Sequence, residues 1–598
     1  MTCGFSKLVD FFKLEELPAD FEKKERWPDT HSMMYTGGTI RPIIDGKVDK
    51  VEAIGFHEGK VYAVGTENHV RAKMNKFKPS CIHLSDEQAL IPGMIDPHLH
   101  IVPKAVFMAW EDFSPFNGQK LRKNYNLDYL KKAIANAKSK FGNTDTDKWI
   151  LGTGVDPSLM PFTIVSDGLN QLTSLGTSAI DAMEDKNPVF IMAASGHTAY
   201  VNTPALERIY HSLLNVKLRE NFPEFEDYNK FVCDQGGLQE ADNMKPAFLA
   251  IPLTQLHILS LYKNIDSFVD EALSRGVTMM YDAAAIAPTI GILNVYLLFH
   301  QNKIRIGYAK VCSSLADVQK LPDYTPMSEF KNNHAGSVKI VSDGSNQGLT
   351  GYQNEPYCCE PGKEGAFNFP HDEDKITSDS EFAMMVKTAT DKGWPLMIHA
   401  NGNKAIEFTL EAYKLALEGK SGLTKRHRIE HCSLVDDKTL DRIKSLGISP
   451  SFLIGHVGYW GYAFKNAILE DKADLLDICQ SALKKDMCIT LHSDCFVTPI
   501  GPLRLMEQAI TRIMEEDPAE NVLNAQEKIT PEQALKVVTY NAAWQCHVEK
   551  WIGSLEEGKM ADYVILGEDP ITRADPVGIR DIPILETWVE GRCMYKKD

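Results

Sequence analysis

The chain has 598 residues, and nowhere does it hold an apolar run of the roughly 18 residues that a helix needs to cross a bilayer, so no membrane span is expected. Its first residues meet Lys7, Asp10 and Lys13 before the apolar segment of a secretory leader can form. The 12 cysteines are scattered, Cys358-Cys359 is the only adjacent pair, and no CxxC spacing occurs, which excludes zinc ribbons and small disulfide frameworks. Reduced thiols in a cytoplasmic protein are the simple expectation. Positive charge is also short: 64 Lys and Arg face 81 Asp and Glu, a net charge of −17. Nucleic acid and anionic membranes attract clustered cations, so neither is an expected partner. There is no solenoid-type repeat and no low-complexity tract.

What is present is a globular composition, 43% hydrophobic and 9% aromatic, in a chain too long for one ordinary domain. Residues 1–33 are charged and irregular and read as an N-terminal extension. Short β-rich runs follow: Met34–Ile40, Val51–Gly55 and Lys60–Gly65, with glycines between them. Such runs return at Asp562–Leu566 and Ile584–Glu590. Residues 34–90 and 549–598 are therefore expected to form one small sheet domain from both chain ends. Between them, residues 91–548 alternate apolar strands with amphipathic helices, the pattern of a parallel sheet, and eight such units would close a (β/α)₈ barrel. Pro395–His399 precedes a helix with Ile406, Leu410, Tyr413 and Leu417 on one face and Gly419 at its end. Arg428–His431 precedes a helix opened by Asp436-Asp437, with Leu440 and Ile443 inward. A third unit begins at Met487–Asp494, and Thr530-Pro-Glu-Gln533 reads as a capping box. Residues 112–260 fit this alternation poorly and read as an insertion over the barrel mouth.

The segment Ile91-Pro-Gly-Met-Ile-Asp-Pro-His98-Leu-His100 is the most informative. Side chains two apart on a strand share a side, so His98 and His100 can bind one ion together, with Asp96 expected to orient a ligand imidazole. His399, His431 and Asp494 each end a further expected strand, and barrel strands deliver their ends to one face. A shared site for a divalent metal follows. Zinc suits imidazole and carboxylate ligands at a hydrolytic centre, as one or two ions. Trp110, Phe113, Tyr200, Phe452, Tyr459 and Trp460 are candidate walls of an apolar pocket, and His456 and His492 further candidates at the site.

The chain resembles the amidohydrolase superfamily, and within it the YtcJ-like group that includes N-substituted formamide deformylases. The likeness runs from about residue 34 onward. It is carried by the His98/His100 segment, by Asn187-Pro-Val-Phe through Gly196-His197-Thr to Leu206, and by Val338-Lys339-Ile-Val-Ser-Asp343-Gly-Ser345. It continues in Ile398-His399-Ala-Asn-Gly402, Arg428-Ile-Glu-His431, His456-Val-Gly-Tyr-Trp-Gly461, Ser493-Asp494 and Gly553–Asp562. The resemblance implies a distorted TIM barrel with a small β-sandwich. It implies that His98 and His100 hold one metal and His399 and His431 another, and that Asp494 touches metal and relays protons. It implies that Lys339 is a carboxylated bridge, since a free lysine of pKa ~10.4 is a cation that cannot ligate, and that His197 polarises the substrate carbonyl. Asn403 and Ser195 stand where the family usually has Asp. The implied activity is hydrolysis of a non-peptide C–N bond in a small molecule, a linear N-substituted amide or formamide. A cyclic amide, a carbamate, an amino-heterocycle undergoing deamination, and a non-catalytic barrel scaffold are the alternatives. Assembly as a homo-oligomer is left open.

Overall fold

The computed structural model describes residues 32–140, 145–164, 170–256, 260–300, 302–372 and 375–597. The expected extension at 1–33 falls outside them except for its last two residues. No helix among the described residues is long and apolar enough to cross a membrane.

Eight parallel strands form the barrel in chain order: Met94–Leu99, Val277–Ala285, Arg305–Val311, His334–Val341, Leu396–Ala400, Arg428–His431, Ser449–Phe452 and Thr490–Leu491. Each pairs in parallel with the next, and a parallel bridge between Leu99 and Cys495 joins the last to the first. Strands covered on both faces lose the polar alternation of a half-exposed strand, as every residue of Leu396–Ala400 is buried. The helices between them follow their apolar spacing. Asn403–Leu417 buries Ile406, Leu410, Tyr413 and Leu417, and Glu418 ends it in a left-handed conformation just ahead of Gly419. Asp437–Leu446 is capped by the Asp436 carboxylate, buries Leu440 and Ile443, and stops at Gly447 with φ 68°. The capping box at Thr530 and Gln533 is formed. The barrel floor is apolar: Ile95, Met279, Tyr281, Ala309 and Met397 pack on Ala542, Ala543 and Cys546 beneath.

A mixed seven-stranded sheet draws on both chain ends, in the order Arg592–Lys596, Ile584–Val589, Tyr563–Leu566, Ser80–Pro92, Met33–Ile40, Val51–His57, Lys60–Gly65. Its central strand, Ser80–Pro92, escapes a reading by pattern because seven of its first eight residues are exposed. It runs parallel to Met33–Ile40 and antiparallel to Tyr563–Leu566, so it is the element that joins the two ends of the chain. Sheet and barrel meet at a buried ion pair, Arg305 Nε to Asp562 Oδ2 at 2.9 Å, and the same carboxylate accepts the Glu590 amide at 2.7 Å.

Between the first and second barrel strands lies a five-stranded sheet ordered Leu238–Gln239, Thr198–Val201, Val189–Ala193, Ile150–Val155, Glu111–Asp112, with helices around it. This is the segment expected as an insertion.

Asp562→Ala should cost about 3–5 kcal/mol, the usual penalty for stranding one partner of a buried pair. It should register as a lower urea midpoint, and Asp562→Asn should lose less.

Candidate active site

At the mouth of the barrel the strand ends deliver their polar residues together. His98 ends the first strand's inward face and His100 follows, their rings 5.6 Å apart. Lys339, His399 and Glu430 come from the fourth, fifth and sixth strands, and all are buried. The His399 and His431 rings lie 4.6 Å apart, and those of His98 and His431 5.0 Å. Lys339 Nζ is 3.5 Å from His98 Nε2. Asp494 completes the group, with Oδ1 at 3.0 Å from His100 Nε2 and 3.3 Å from His98 Nε2, and Oδ2 at 4.0 Å from His431 Nε2.

Apart from the Lys339–His98 hydrogen bond, these contacts leave polar atoms unsatisfied. His100 Nε2, both ring nitrogens of His431 and Asp494 Oδ1 are buried and have no hydrogen-bond partner. Each such group costs about 1–3 kcal/mol unless something else binds it. Imidazole lone pairs and a carboxylate converging on one point are the donor set of a divalent cation, and ligand atoms of His98, His431 and Asp494 fall within 4.8 Å of one another. The residues present fit a metal.

The electrostatics agree. Burial lowers the pKa of His100, His399 and His431, which keeps these imidazoles neutral, as ligation requires. Burial alone would raise the Asp494 carboxyl, but His98, His100 and His431 outweigh it and hold it well below the ordinary range. Burial pulls Lys339 down to about 8, against the opposing pull of Glu430 and Asp494.

Two carboxylates that the sequence reading passed over orient the ligand candidates. Glu430 Oε2 lies 2.5 Å from His98 Nδ1, and its other oxygen pairs with Arg428 Nε at 2.9 Å. Burial would raise this carboxyl, yet Arg428 and His98 bring it down to about 2. Asp343 Oδ1 lies 3.0 Å from His399 Nδ1, and its oxygens accept the amides of Asn401, Gly402 and Tyr352. Burial pushes Asp343 up to about 7 in spite of those bonds. Gly402 is required there, because a Cβ would meet the Tyr352 carbonyl oxygen at 1.9 Å. Asp96 does not take the role expected of it. It accepts the Ser493 hydroxyl at 2.5 Å and the His98 amide at 3.3 Å, tying the first strand to the last, and the His98 imidazole is oriented by Glu430 instead.

Strand alternation explains why Glu430 was missed. If His431 faces the site, its neighbour ought to face away. The backbone breaks the rule: His431 and Cys432 take φ of 64° and 49°, and Asp494 takes 51°. A left-handed histidine swings its ring over the mouth while Glu430 keeps the inward direction beneath it. Such strain in residues with side chains gathers at functional sites.

His197 comes from the insertion, in the loop between Val189–Ala193 and Thr198–Val201, and its ring lies 6.1 Å from that of His399. Its Nδ1 is held 3.0 Å from Glu240 Oε1, leaving Nε2 buried and unpartnered. His456 lies farther out, its ring 6.4 Å from that of His431, with Nδ1 at 3.2 Å from Ser433 Oγ. His492 stacks on His98 at 4.4 Å with both nitrogens unpartnered. The expected aromatic pocket does not assemble. Trp110 packs on Phe107 and Phe190, Phe113 and Phe452 are core, and Tyr459 donates to the Gln119 carbonyl. Trp460 donates to Asp156 Oδ2 at 2.8 Å with its ring 6.1 Å from His456, and Tyr200 lines a cavity beside the site. Aromatic residues in a sequence mark burial, and here the core claims most of them.

Residues 86–212 and 261–595 match the model of the amidohydrolase family. The chain belongs to that family. It is 21% identical to YtcJ of Bacillus subtilis (strain 168) over 94% of this chain and 99% of that protein. It is 23% identical to the N-substituted formamide deformylase of Arthrobacter pascens over 94% and 98%. An uncharacterized metal-dependent hydrolase from Pyrococcus furiosus has a similar fold, with a TM-score of 0.61 and 20% identity over 90% of this chain and all of that one. In this amidohydrolase the two unusual residues are not ligand candidates. Asn403 Oδ1 accepts the Asn354 amide at 2.9 Å, anchoring a loop, and Ser195 Oγ accepts the His197 amide at 3.3 Å.

Glu430→Gln removes the charge that orients His98. Divalent-metal affinity should fall about 10–100-fold, the usual effect of losing a ligand's own hydrogen-bond partner. A chelator competition titration measures it, with circular dichroism expected to stay unchanged.

Proposed function

We propose that this amidohydrolase hydrolyses a non-peptide C–N bond, that of a linear N-substituted amide or formamide. The observation that carries the reading is the ionised Asp494 carboxylate among His98, His100 and His431, with His100 Nε2 and both ring nitrogens of His431 unpartnered and the free Nε2 of His197 nearby. The likeness to an N-substituted formamide deformylase favours a formamide.

In this reading His98, His100, His399, His431 and Asp494 hold one or two divalent ions, of which zinc suits the donor set. When bound, such an ion lowers the pKa of water toward ~7 and polarises a carbonyl. Asp494 takes the proton of the attacking water. It returns the proton to the nitrogen of the departing amine, which is too basic to leave as an anion. His197 is kept by Glu240 with Nε2 free to donate to the carbonyl oxygen. Lys339 is proposed as a carbamate bridge. Burial that brings its pKa down to about 8 raises the share of neutral amine, the form that adds carbon dioxide with release of a proton, and the resulting carbamate shares one negative charge over two oxygens. The cysteines among the described residues are all free thiols, which suits a reducing cytoplasm.

The His98→Ala/His100→Ala double variant should lose both activity and most bound metal, read by metal analysis of the purified protein. Full metal content in that variant defeats the assignment. Asp494→Asn keeps the shape but cannot take a proton. Its kcat on linear formamides should fall by roughly 10²–10⁴, and less on activated esters, whose leaving groups need no acid. A panel that includes cyclic amides, carbamates and amino-heterocycles tests the substrate class, and preferred turnover of any of these displaces the formamide.

A further inference from the structure

Beside His197 a cavity of about 260 Å³ opens toward the insertion. It adjoins the site at two points. Ser195, which lines it, accepts the His197 amide at 3.3 Å. Gln347, which also lines it, follows Asn346, whose side chain donates to the Asn401 carbonyl at 3.2 Å, two residues past His399.

The chemistry of the wall is specific. Beside aliphatic side chains such as Leu172 and Leu349, amides and hydroxyls predominate, among them Gln171, Ser195, Thr198, Tyr200, Gln239 and Gln347. Gln347 is 7% exposed, and its Oε1 has no hydrogen-bond partner. A buried amide oxygen in that state is made whole by a ligand that offers a hydrogen-bond donor. The charged lining residues are Asp156, Glu360 and Lys363, two carboxylates and one cation. The Asp156 carboxylate is taken by Ser158 and Trp460, Lys363 stands three residues from Glu360, and no arginine is among the lining residues. Nothing in the wall forms the paired, forked contact by which proteins hold a carboxylate.

We propose that this cavity holds the amine-side substituent of the substrate and that Gln347 selects an uncharged, hydrogen-bonding substituent, a hydroxyl or amide, over a carboxylate. The proposal rests on the amide-hydrolysis reading. In a formamide the acyl side is a single hydrogen, so the body of the molecule lies on the nitrogen side. A site whose buried amide is paired only by the right ligand discriminates against ligands that leave it unpaired.

Three probes with the same four-carbon chain on nitrogen test it: N-butylformamide, N-(4-hydroxybutyl)formamide and N-formyl-4-aminobutyrate, with the metal-loaded enzyme. The hydroxybutyl compound should have the highest kcat/KM of the three, by about tenfold and through KM, as one hydrogen bond to a buried group allows. Gln347→Leu should erase the preference over the butyl compound, and Gln347→Asn, which keeps the polarity and so guards against misfolding, should reduce it. Preference for the carboxylate, or an unchanged ratio in both variants, overturns the proposal. If the wild type turns over none of the three, the amide-hydrolysis reading fails, and calorimetric titration of the same compounds then decides the cavity alone. Binding of the hydroxybutyl compound that is lost in Gln347→Leu sustains the proposal; equal binding or none refutes it.

Discussion

A carboxylate that water does not reach, Glu430, lies between the Arg428 guanidinium and the His98 imidazole, and the geometry of the barrel mouth follows from it. Burying an ion is expensive unless it is paired and hydrogen-bonded. Both conditions are met here by residues of different strands. Arg428 also donates to the Pro97 carbonyl at 3.2 Å, so the pair binds the sixth strand to the first across the barrel interior. By accepting from Nδ1, Glu430 leaves the Nε2 lone pair of His98 directed at Asp494 and Lys339. The centre is thus built on a charge network whose members cannot move singly.

Asp343 does for the fifth strand what Glu430 does for the first. Its oxygens gather three backbone amides and the His399 ring, so the loop after the fourth strand, the turn at Gly402 and a ligand candidate are fixed by one side chain. Asn401 extends the arrangement: it donates to the Gly344 carbonyl at 2.9 Å and accepts the Ser433 hydroxyl at 2.6 Å. Chemistry-bearing groups on strand ends and positioning groups in the loops between them is the division of labour that barrels of this kind use. The floor of Ile95, Met279 and Met397 is apolar, and Met397 Sδ accepts from Arg428 Nη2 at 3.0 Å beneath the site.

The insertion contributes a histidine and a wall. His197 reaches the barrel mouth from a separate sheet and is steadied there by Glu240. The cavity behind it is lined from the insertion and from the 347–363 segment of the barrel together. On the proposed reading the barrel meets the reacting bond and the insertion much of the rest of the substrate, so specificity can change without disturbing the proposed metal ligands.

The sequence by itself determined the barrel, the sheet built from both ends, and the cluster of His98, His100, His399, His431 and Asp494. It could do so because apolar periodicity and the direction of strand ends are local properties, written in neighbouring residues. Helix caps such as Asp436 and Thr530 were legible for the same reason. Only the tertiary structure decided which carboxylate serves which histidine, since Glu430 and His98 are 332 residues apart and a left-handed backbone at His431 overrides the alternation. It also decided that Asp96 fastens strands rather than orienting a ring, that the polar strand Ser80–Pro92 is central to its sheet, and that Trp110 belongs to the core. Each of these depends on what a side chain finds across the fold, and contacts between distant segments leave no periodic trace in the chain.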